Sequence, residues 1–261
     1  MNKGLVVNGI SASYDKKRVL HNVSFSAPMS GVTAIVGPNG CGKSTLLKVI
    51  SRIIAPTEGE VFLDGVSLLS LTRTDSAKRV AYLPQSRNTS DIRVSSLVLH
   101  GRFPYTGYPR KYREEDYVKV ENALRKMGIE DKKDQLVSSL SGGERQKVYI
   151  AMCLVQETDV LLFDEPTTFL DISRQFKLLD EAKKLAKEGK CVVIVLHDII
   201  QALETADNMV VMDEGRVVME DTPSSVYDSG ILEKVFSLRI NKESSHYYYS
   251  RKDDENTFHH P

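Results

Sequence analysis

Three short runs of aliphatic and β-branched residues dominate the hydrophobic pattern of the chain. They read VTAIVG, ending at Gly37, DVLLFDE, ending at Glu165, and CVVIVLHD, ending at Asp198. None of them alternates with polar residues, which is typical of strands buried on both faces of a parallel sheet. Each run also ends in polar or charged residues or a glycine-rich turn, and ligands of open α/β sheets bind at the carboxyl ends of the strands. The pattern therefore predicts an α/β domain with one ligand crevice.

The segments around these runs predict two further layers. The opening segment GLVVNGISASYDKKRVLHNVSFSA reads as two extended pieces around a polar turn at Asp15 to Lys17, which favours an antiparallel β-layer. The region from Arg87 to Ser139 is polar, carries the loop GRFPYTGYPRKY and then becomes helical in REEDYVKVENALRKMG. We therefore expect a mostly helical segment inserted into the α/β core.

Two later segments complete the pattern. The stretch RQFKLLDEAKKLAKEG predicts a helix that covers the sheet, with Gly189 placed to end it. The apolar positions that share one face of this helix are Phe176, Leu179, Ala182 and Leu185. After about Lys234 the chain becomes polar and aromatic, and RINKESSHYYYS is expected to form a hairpin around residues 242–245.

Composition limits the class of protein. The chain has 261 residues, of which 41% are hydrophobic and 27% charged, as in an ordinary globular protein. Basic and acidic residues both number 35, so a dedicated nucleic-acid binder is not expected. The three cysteines form neither a metal-spaced pair nor a disulfide framework, which indicates a reducing cytoplasm. No apolar run is long enough for a membrane helix or a signal peptide, so we expect any membrane role to come through a partner.

The stretch GPNGCGKST fits the phosphate-loop pattern G-x-x-x-x-G-K-[ST] and lies between a predicted strand and an apolar helix. Its glycines let backbone N–H groups face the phosphates, and the helix start adds its dipole. In this role Lys43 reaches the β- and γ-phosphates of ATP, and the Ser44 hydroxyl binds Mg²⁺. The residues predicted here to bind ATP are Gly37, Pro38, Asn39, Gly40, Cys41, Gly42, Lys43, Ser44 and Thr45.

Side chains suited to hydrolysis end the neighbouring extended runs. Asp164 and Glu165 are adjacent acids at the rim of a buried strand, a costly placement unless a cation or a reacting proton uses them. We expect Asp164 to hold Mg²⁺ and Glu165 to be the base that orients the attacking water. His197 is expected to contact the γ-phosphate and the water. Gln85, after the run RVAYLPQ, is expected to contact Mg²⁺ and the water.

The stretch LSGGERQ predicts a second anion-binding helix start. Ser141 and Glu144 have the spacing of a capping box, S-x-x-E, and the glycines allow close approach. One nucleotide is already held at Lys43, so a second loop in the same chain needs another task. We expect it to contact the γ-phosphate of an ATP held by another copy, so that two copies placed head to tail enclose two ATP molecules. The residues assigned to this loop are Ser141, Gly142, Gly143 and Glu144.

Taken in order, these motifs resemble those of the ATP-binding-cassette (ABC) ATPases. The resemblance covers about Leu5 to Lys234, with GPNGCGKST as Walker A, LPQ as the Q-loop, LSGGERQ as the signature, VLLFDE as Walker B, FLD at residues 169–171 as the D-loop and LHD as the switch. It implies that Tyr14 stacks on adenine, an interaction typically worth roughly 1–3 kcal/mol. It also implies that Asp171 lies at the dimer seam.

The resemblance implies an α/β fold with a P-loop NTPase core built on a mainly parallel sheet. An antiparallel β subdomain would lie at the N-terminus, and an α-helical subdomain would be inserted at about residues 87–155. The ATP-binding domain is expected to span residues 1–235. Residues 236–261 form a C-terminal tail to which the sequence assigns no role.

Two further stretches, VSSLVLHGRFPYTGY and TTFLDISRQFKLLD, resemble ATPase subunits of bacterial importers for ferric siderophores, haem and vitamin B12. In this class a G-R-x-P-H motif often follows the Q-loop, and Tyr105 stands here in place of its histidine. The resemblance implies a peripheral position on the cytoplasmic face of the inner membrane, docked on two permease subunits through the region from Gln85 to Arg110. A substrate-binding protein would deliver the ligand, which the ATPase does not touch.

Other functions are open to the same motifs. A DNA-repair or chromosome ATPase would interrupt the core with a long coiled coil or a zinc module, and the interval from Gln85 to Leu140 is too short for either. A non-transport ABC ATPase such as an iron–sulfur assembly scaffold is also a single domain and would bind assembly proteins instead of permeases. An exporter ATPase is the alternative within the transporters.

Overall fold

The computed structural model of the protein describes residues 4–15, 17–85, 91–107, 109, 111–168, 170–244 and 246–250. The strands in this part of the chain are β1 Gly4–Tyr14, β2 Lys17–Pro28, β3 Gly31–Val36, β4 Glu58–Leu63, β5 Val66–Ser67, β6 Val80–Leu83, β7 Val160–Asp164, β8 Cys191–Val195, β9 Asn208–Asp213, β10 Arg216–Asp221, β11 Arg239–Glu243 and β12 His246–Ser250. The α-helices are α1 Lys43–Ile50, α2 Arg73–Ala77, α3 Val94–Leu99, α4 Glu114–Lys126, α5 Gly142–Val155, α6 Ile172–Lys187, α7 Ile199–Thr205, α8 Pro223–Asp228 and α9 Ile231–Phe236. Short 3₁₀ helices lie at Leu68–Ser70, His100–Tyr105, Glu130–Lys132 and Val137–Ser139.

A six-stranded sheet with the order β10-β9-β3-β8-β7-β6 forms the centre of the fold. Every neighbouring pair from β9 to β6 is parallel, and β10 joins β9 in the antiparallel direction. Ile35 of β3 and Asp164 of β7 both pair with Val195 of β8. The three apolar runs of the sequence therefore end side by side, as the prediction of one crevice at their carboxyl ends requires.

Strand β7 shows how this sheet is buried on both faces. Leu161 and Phe163 pack into a core that includes residues of α5, α6 and α7. Val160 and Leu162, which point the other way, pack into a second core with α1 and an antiparallel sheet of order β2-β1-β4-β5. Because successive strand residues face opposite sides, a run without polar positions is what a doubly covered strand requires.

The predicted helical insertion is present between β6 and β7. Helices α3, α4 and α5 pack through Val98, Leu124 and Val148, all fully buried. The expected boundary at about residues 87–155 stays a prediction, and residues 86–90 at its start lie outside the described part of the chain.

A buried arginine ties together two helices of this insertion. The Arg102 guanidinium donates to Asp116 Oδ1 at 2.7 Å, to Glu157 Oε2 at 2.8 Å and to the Val155 carbonyl at 2.9 Å. The Tyr105 ring lies 3.8 Å from the guanidinium carbon. Burial opposes ionisation of Asp116, but the Arg113 N–H and the Arg102 guanidinium together hold its pKa below the usual value. Arg102 therefore joins the start of α4, through Asp116, to the end of α5, through the Val155 carbonyl.

Helix α6 covers the sheet as predicted, but its buried face is partly different. Leu179, Ala182 and Leu185 are buried, whereas the side chain of Phe176 is 49% exposed. Leu178, which is 5% exposed, lies against the core. The prediction that Phe176 shares the buried face is therefore wrong, because that face runs through Leu178, Ala182 and Ala186 and leaves Phe176 to one side of it. Gly189, with φ 98°, follows the helix as expected.

The C-terminal segment folds back onto the core. Strands β11 and β12 form the predicted hairpin, whose Ser245 lies outside the described residues. Ile240 is 4% exposed in the main core, and the rings of Tyr227 and Tyr247 meet edge to face with centroids 5.1 Å apart. Within the described residues, none of the helices has the length and apolar character needed to span a bilayer.

Candidate functional site

The loop between β3 and α1 curls tightly around its own glycines. Gly40 and Gly42 have φ values of 80° and 104°, a region that glycine enters at little cost. A Cβ on Gly37 would come within 2.3 Å of the Met212 carbonyl oxygen, so this position has no room for a side chain. Gly42 caps α1 without a side-chain hydrogen bond, which leaves the first N–H groups of the helix available to an anion.

Lys43 is held inside this loop. Its Nζ donates to the carbonyl oxygens of Gly37 at 2.7 Å and Pro38 at 3.0 Å, and the residue is only 5% exposed. The loop therefore encloses a fixed positive charge at the N-terminal end of a helix. Such an arrangement suits a bound phosphate group.

Asp164 joins the loop to the neighbouring strands. The Ser44 hydroxyl donates to Asp164 Oδ1 at 2.8 Å, and the Tyr82 hydroxyl donates to Asp164 Oδ2 at 2.9 Å. Asp164 is 2% exposed, and burial and then the charge of Asp164 raise the pKa of Tyr82. Among the described residues, no group of three His, Cys, Asp or Glu side chains could hold a metal. One hydroxyl and one carboxylate fit Mg²⁺, which usually takes its remaining ligands from phosphates and water.

Glu165 adopts an uncommon backbone conformation at the rim of the crevice. Its φ is 45°, a left-handed value that few non-glycine residues take and that tends to occur at functional sites. Its Oε2 accepts hydrogen bonds from Gln85 Nε2 at 2.5 Å and from the Thr168 hydroxyl at 3.4 Å. The structure thus brings Gln85 and Glu165 into direct contact.

The three predicted catalytic residues and most of the predicted phosphate loop line one cavity of about 410 Å³. His197, an exposed residue between β8 and α7, forms part of its wall. The other residues lining this cavity are Val19, Asn39, Gly40, Gly42, Lys43, Ser44, Thr45, Gln85 and Glu165. The cavity therefore combines the Lys43 cation, the Glu165 carboxylate and the Ser44 hydroxyl, which donates to the buried Asp164.

Four predicted ATP-site residues do not line this cavity: Gly37 and Pro38 line a second one that also includes His197, and Tyr14 and Cys41 have other surroundings. Tyr14 ends β1 and is 44% exposed, so its ring is accessible to a ligand. Cys41 is 6% exposed, and burial raises the pKa of its thiol above the usual value. Its thiol points inward, since a Cβ on Gly37 would lie only 2.7 Å from the Cys41 sulfur.

The signature loop begins α5 with the predicted capping box. The Glu144 N–H donates to the Ser141 hydroxyl at 3.4 Å, and the Ser141 N–H donates to Glu144 Oε2 at 2.9 Å. Hydrogen bonds from Ser141 hold the pKa of Glu144 below its usual value. Ser141, Gly143 and Glu144 line a different cavity from Lys43, next to Arg174 of α6. In one chain, the two glycine-rich loops therefore line two separate cavities.

The D-loop borders the cavity of the signature loop, since Leu170 lines it together with Ser141. Asp171 is the N-cap of α6: its side chain accepts from the Arg174 N–H at 3.0 Å and pairs with the Arg174 guanidinium at 3.0 Å. Phe169, the first residue of this loop, lies outside the described residues.

Two tyrosines near the site were not predicted. Tyr82 reaches Asp164 because it pairs in register with Leu162, two residues earlier on the same face of β7. The strand order that makes them neighbours is not visible in the sequence. Tyr249 of β12 hydrogen-bonds Asp198, the residue after His197. Only the hairpin prediction pointed to an ordered element there.

Comparison with known proteins identifies the class. A family model described as ABC transporter matches residues 20–168. The ferric enterobactin transport ATP-binding protein FepC of Escherichia coli (strain K12) is 40% identical over 232 residues, 88% of this chain and 86% of that protein. The iron(3+)-hydroxamate import ATP-binding protein FhuC of Bacillus subtilis (strain 168) is 36% identical over 231 residues, with 88% and 86% coverage.

Solved structures agree on the fold. CbiO1 from Clostridium perfringens, part of the ABC transporter complex cbiONQ, superposes with a TM-score of 0.76 at 29% identity, covering 90% of this chain and 95% of that one. The ADP conformation of the ATP-binding cassette MJ1267 gives a TM-score of 0.81 at 22% identity, with 91% and 98% coverage.

The chain belongs to the ABC transporter family. It is the ATP-binding subunit of such a transporter, and its reaction is ATP hydrolysis coupled to transport.

Proposed function

We propose that this chain energises a bacterial importer for an iron chelate, with ferric siderophores as the first candidate ligands and haem or cobalamin-type ligands as the others. The observation that carries the proposal is the set of relatives: proteins 35–40% identical are named for transport of ferric enterobactin, petrobactin and iron(3+)-hydroxamate. A hemin import protein from Nocardia farcinica is 36% identical. These names favour an importer over an exporter or an iron–sulfur assembly scaffold.

The phosphate loop holds ATP in this proposal. Lys43 exchanges its bonds to the loop carbonyls for the β- and γ-phosphates, and the free N–H groups of α1 complete the phosphate contacts. Tyr14 stacks on adenine. Ser44, Asp164 and Gln85 are the residues that would hold Mg²⁺. When bound, Mg²⁺ neutralises charge on the phosphates.

Hydrolysis is assigned to the three side chains at the crevice rim. Glu165 accepts the proton of the attacking water and holds that water in line with the γ-phosphate. His197 contacts the γ-phosphate and fixes the position of the water. Gln85 donates to Glu165 in the structure, so a movement of Gln85 would free the carboxylate for the water. This link is supported by the 2.5 Å contact between the two side chains.

The second glycine-rich loop acts on the ATP of another copy. Two chains placed head to tail bring the signature of one chain to the phosphate loop of the other, with Asp171 at the seam. The separate cavities of Lys43 and Ser141 in one chain support this arrangement. ATP then closes a homodimer and hydrolysis releases it, which makes the pair a switch for the permease.

The membrane partner is two permease subunits, docked on the cytoplasmic face through residues 85–110. A substrate-binding protein on the other side delivers the ligand. Residues 86–90, 108 and 110 of this region lie outside the described part of the chain. The Arg102 network supports a docking role for the rest, because it fixes the 3₁₀ helix His100–Tyr105 against α4 and α5.

The test is transport by the purified complex. Affinity purification in mild detergent should recover two permease subunits. Liposomes that contain the complex should take up a radiolabelled ferric siderophore, haem or cobalamin only when ATP is supplied on the side of the membrane where this subunit lies. Lys43→Ala should abolish uptake while leaving the complex intact. Recovery of non-membrane assembly proteins in place of permeases would contradict the proposal.

A further inference from the structure

The C-terminal hairpin reaches the segment that carries His197. The Tyr249 hydroxyl of β12 donates to Asp198 Oδ1 at 2.9 Å and accepts from the Ile199 N–H at 3.1 Å. The Ile200 N–H lies 3.4 Å from the same hydroxyl. Tyr249 therefore contacts both the N-cap of α7 and the first N–H groups of that helix.

Hydrogen bonds hold the residues on both sides of His197 in place. On its N-terminal side, the Leu196 N–H donates to the Ile35 carbonyl of β3 at 3.1 Å. On its C-terminal side, Asp198 accepts from the N–H groups of Ile200 at 2.9 Å and Gln201 at 3.3 Å. His197 is the single residue between these anchors. The direction of its side chain therefore depends on how each anchor is held.

The C-terminal segment also lines a cavity next to the site. Tyr249, Phe236 and Leu238 line a cavity together with His197, Asp198 and the start of the phosphate loop. Burial and then the charge of Asp198 raise the pKa of Tyr249 to about 12, so its hydroxyl stays protonated and able to donate at neutral pH. The C-terminal tail therefore borders the cavity that contains His197.

We propose that Tyr249 is a positioning residue for His197: its hydroxyl fixes Asp198 and the start of α7, and so sets the orientation in which His197 meets the γ-phosphate. The inference rests on the role of His197 in the proposed function. It gives a role in hydrolysis to the C-terminal tail, to which the sequence motifs assign none. Tyr249 does not touch the nucleotide and acts only through the His197 segment.

The hairpin does not depend on this hydroxyl for its place. Ile240 is buried in the main core, and its N–H donates to Glu233 Oε1 at 3.0 Å. Tyr247 packs on Tyr227. Asp198 keeps its own bonds to the helix N–H groups when the tyrosine is changed. Tyr249→Phe should therefore remove the contact and leave the fold intact.

Tyr248 supplies a matched control. It is the preceding residue of β12, so its side chain points to the opposite face of the hairpin, and it is 47% exposed. Tyr248→Phe removes the equivalent hydroxyl from the neighbouring residue of the same strand. Any difference between the two variants therefore reports the contacts of the Tyr249 hydroxyl with Asp198 and the start of α7.

The expected result is a split between binding and turnover. Tyr249→Phe should lower kcat for ATP hydrolysis about tenfold, with roughly a hundredfold as the ceiling for a misplacement of about 1 Å, while KM for ATP and the melting temperature match those of Tyr248→Phe. The imidazole NMR signals of His197, assigned by their loss in His197→Ala, should shift in Tyr249→Phe and not in Tyr248→Phe. Adding Tyr249→Phe to His197→Ala should slow hydrolysis no further.

Two outcomes would overturn the inference. One is a Tyr249→Phe enzyme with the kcat and His197 signals of the control. The other is a double variant that is slower than His197→Ala by the full factor of the single change, because Tyr249 would then act elsewhere. If His197→Ala itself hydrolyses ATP at the wild-type rate, the proposed role of His197 fails instead. The two failures are therefore distinguishable.

Discussion

The Ser44 hydroxyl donates a hydrogen bond of 2.8 Å to Asp164 Oδ1, across 120 residues of sequence. The first residue belongs to the phosphate loop and the second ends a strand two positions away in the sheet. Their contact brings together one hydroxyl and one carboxylate, the donor set expected for Mg²⁺ beside a bound triphosphate.

Ser44→Ala should weaken the response to Mg²⁺ more than the binding of ATP. Removing the hydroxyl deletes one oxygen ligand and leaves the loop backbone and Lys43 in place. We expect the Mg²⁺ concentration for half-maximal hydrolysis to rise about tenfold or more, equivalent to roughly 1.4 kcal/mol. Titration of ATPase activity with Mg²⁺ measures this. Ser51→Ala, at the other end of α1, should not change it.

Glu165→Gln should leave ATP affinity nearly intact and slow turnover by about a hundredfold or more, in the range of lost general-base catalysis. The amide still accepts a hydrogen bond from Gln85 but cannot accept the proton of the water. Size-exclusion chromatography with ATP and Mg²⁺ should then show more dimer than for the wild type. Glu121→Gln, on the surface of α4, is the control. Equal hydrolysis rates for the two variants would remove Glu165 from its assigned role.

Cys41 should react slowly with maleimide, although it lies inside the phosphate loop. The thiol is buried, and burial raises its pKa, so the reactive thiolate is scarce at neutral pH and becomes more abundant only as pH rises toward that raised value. Modification at the loop should inactivate the ATPase, and ATP should protect against it. Labelling rates from pH 7 to pH 9, with Cys41→Ser for comparison, test this. Equal inactivation of Cys41→Ser would assign the effect to another cysteine.

Arg102→Met should destabilise the protein by about 3–5 kcal/mol, because it leaves the buried Asp116 carboxylate without its cation. The matched change Arg125→Met removes an exposed partner of Glu130 and should barely alter stability. Urea unfolding followed by circular dichroism compares the two variants. Equal midpoints would show that the Arg102 pair contributes nothing net.

The same pair predicts a dependence on acid. The folded pKa of Asp116 is lowered, so its contribution to stability is present above the unfolded pKa of an aspartate, about 3.9, and is lost as pH falls through the folded value. In Arg102→Met this component of acid sensitivity should shrink. Unfolding midpoints measured between about pH 3 and pH 7 would reveal the difference.

The sequence predicted the residues of the site better than it predicted the packing around the site. Lys43, Asp164 and His197 were predicted to meet because each follows a fully apolar strand, and strand ends in a parallel sheet share one edge. The buried face of α6 was misjudged at Phe176, because helical spacing alone does not say which of two overlapping stripes faces the core. Tyr82 and Tyr249 reach the site through strand order and chain reversal, which local patterns do not encode.

The two glycine-rich loops can be tested for action between chains. Lys43→Ala cripples the phosphate loop. Gly142→Asp places a negative charge in the signature loop, where a Cβ meets no atom within 4 Å, so the change should be tolerated in the free chain. Gly143 is less suitable, since a Cβ there would lie 2.8 Å from Arg174. Each variant alone should be nearly inactive, because each spoils both sites of a homodimer.

Mixing the two variants distinguishes action between chains from action within one chain. In a heterodimer, one site combines both damaged loops, and the other combines the intact phosphate loop of the Gly142→Asp chain with the intact signature of the Lys43→Ala chain. One complete site therefore returns only if the loops work between chains. ATP-dependent pairing of differently labelled chains is the main measurement, with recovered hydrolysis as the second. If two folded variants formed no ATP-dependent heterodimer, the signature would have to act within its own chain, and the separate cavities of Lys43 and Ser141 would need another explanation.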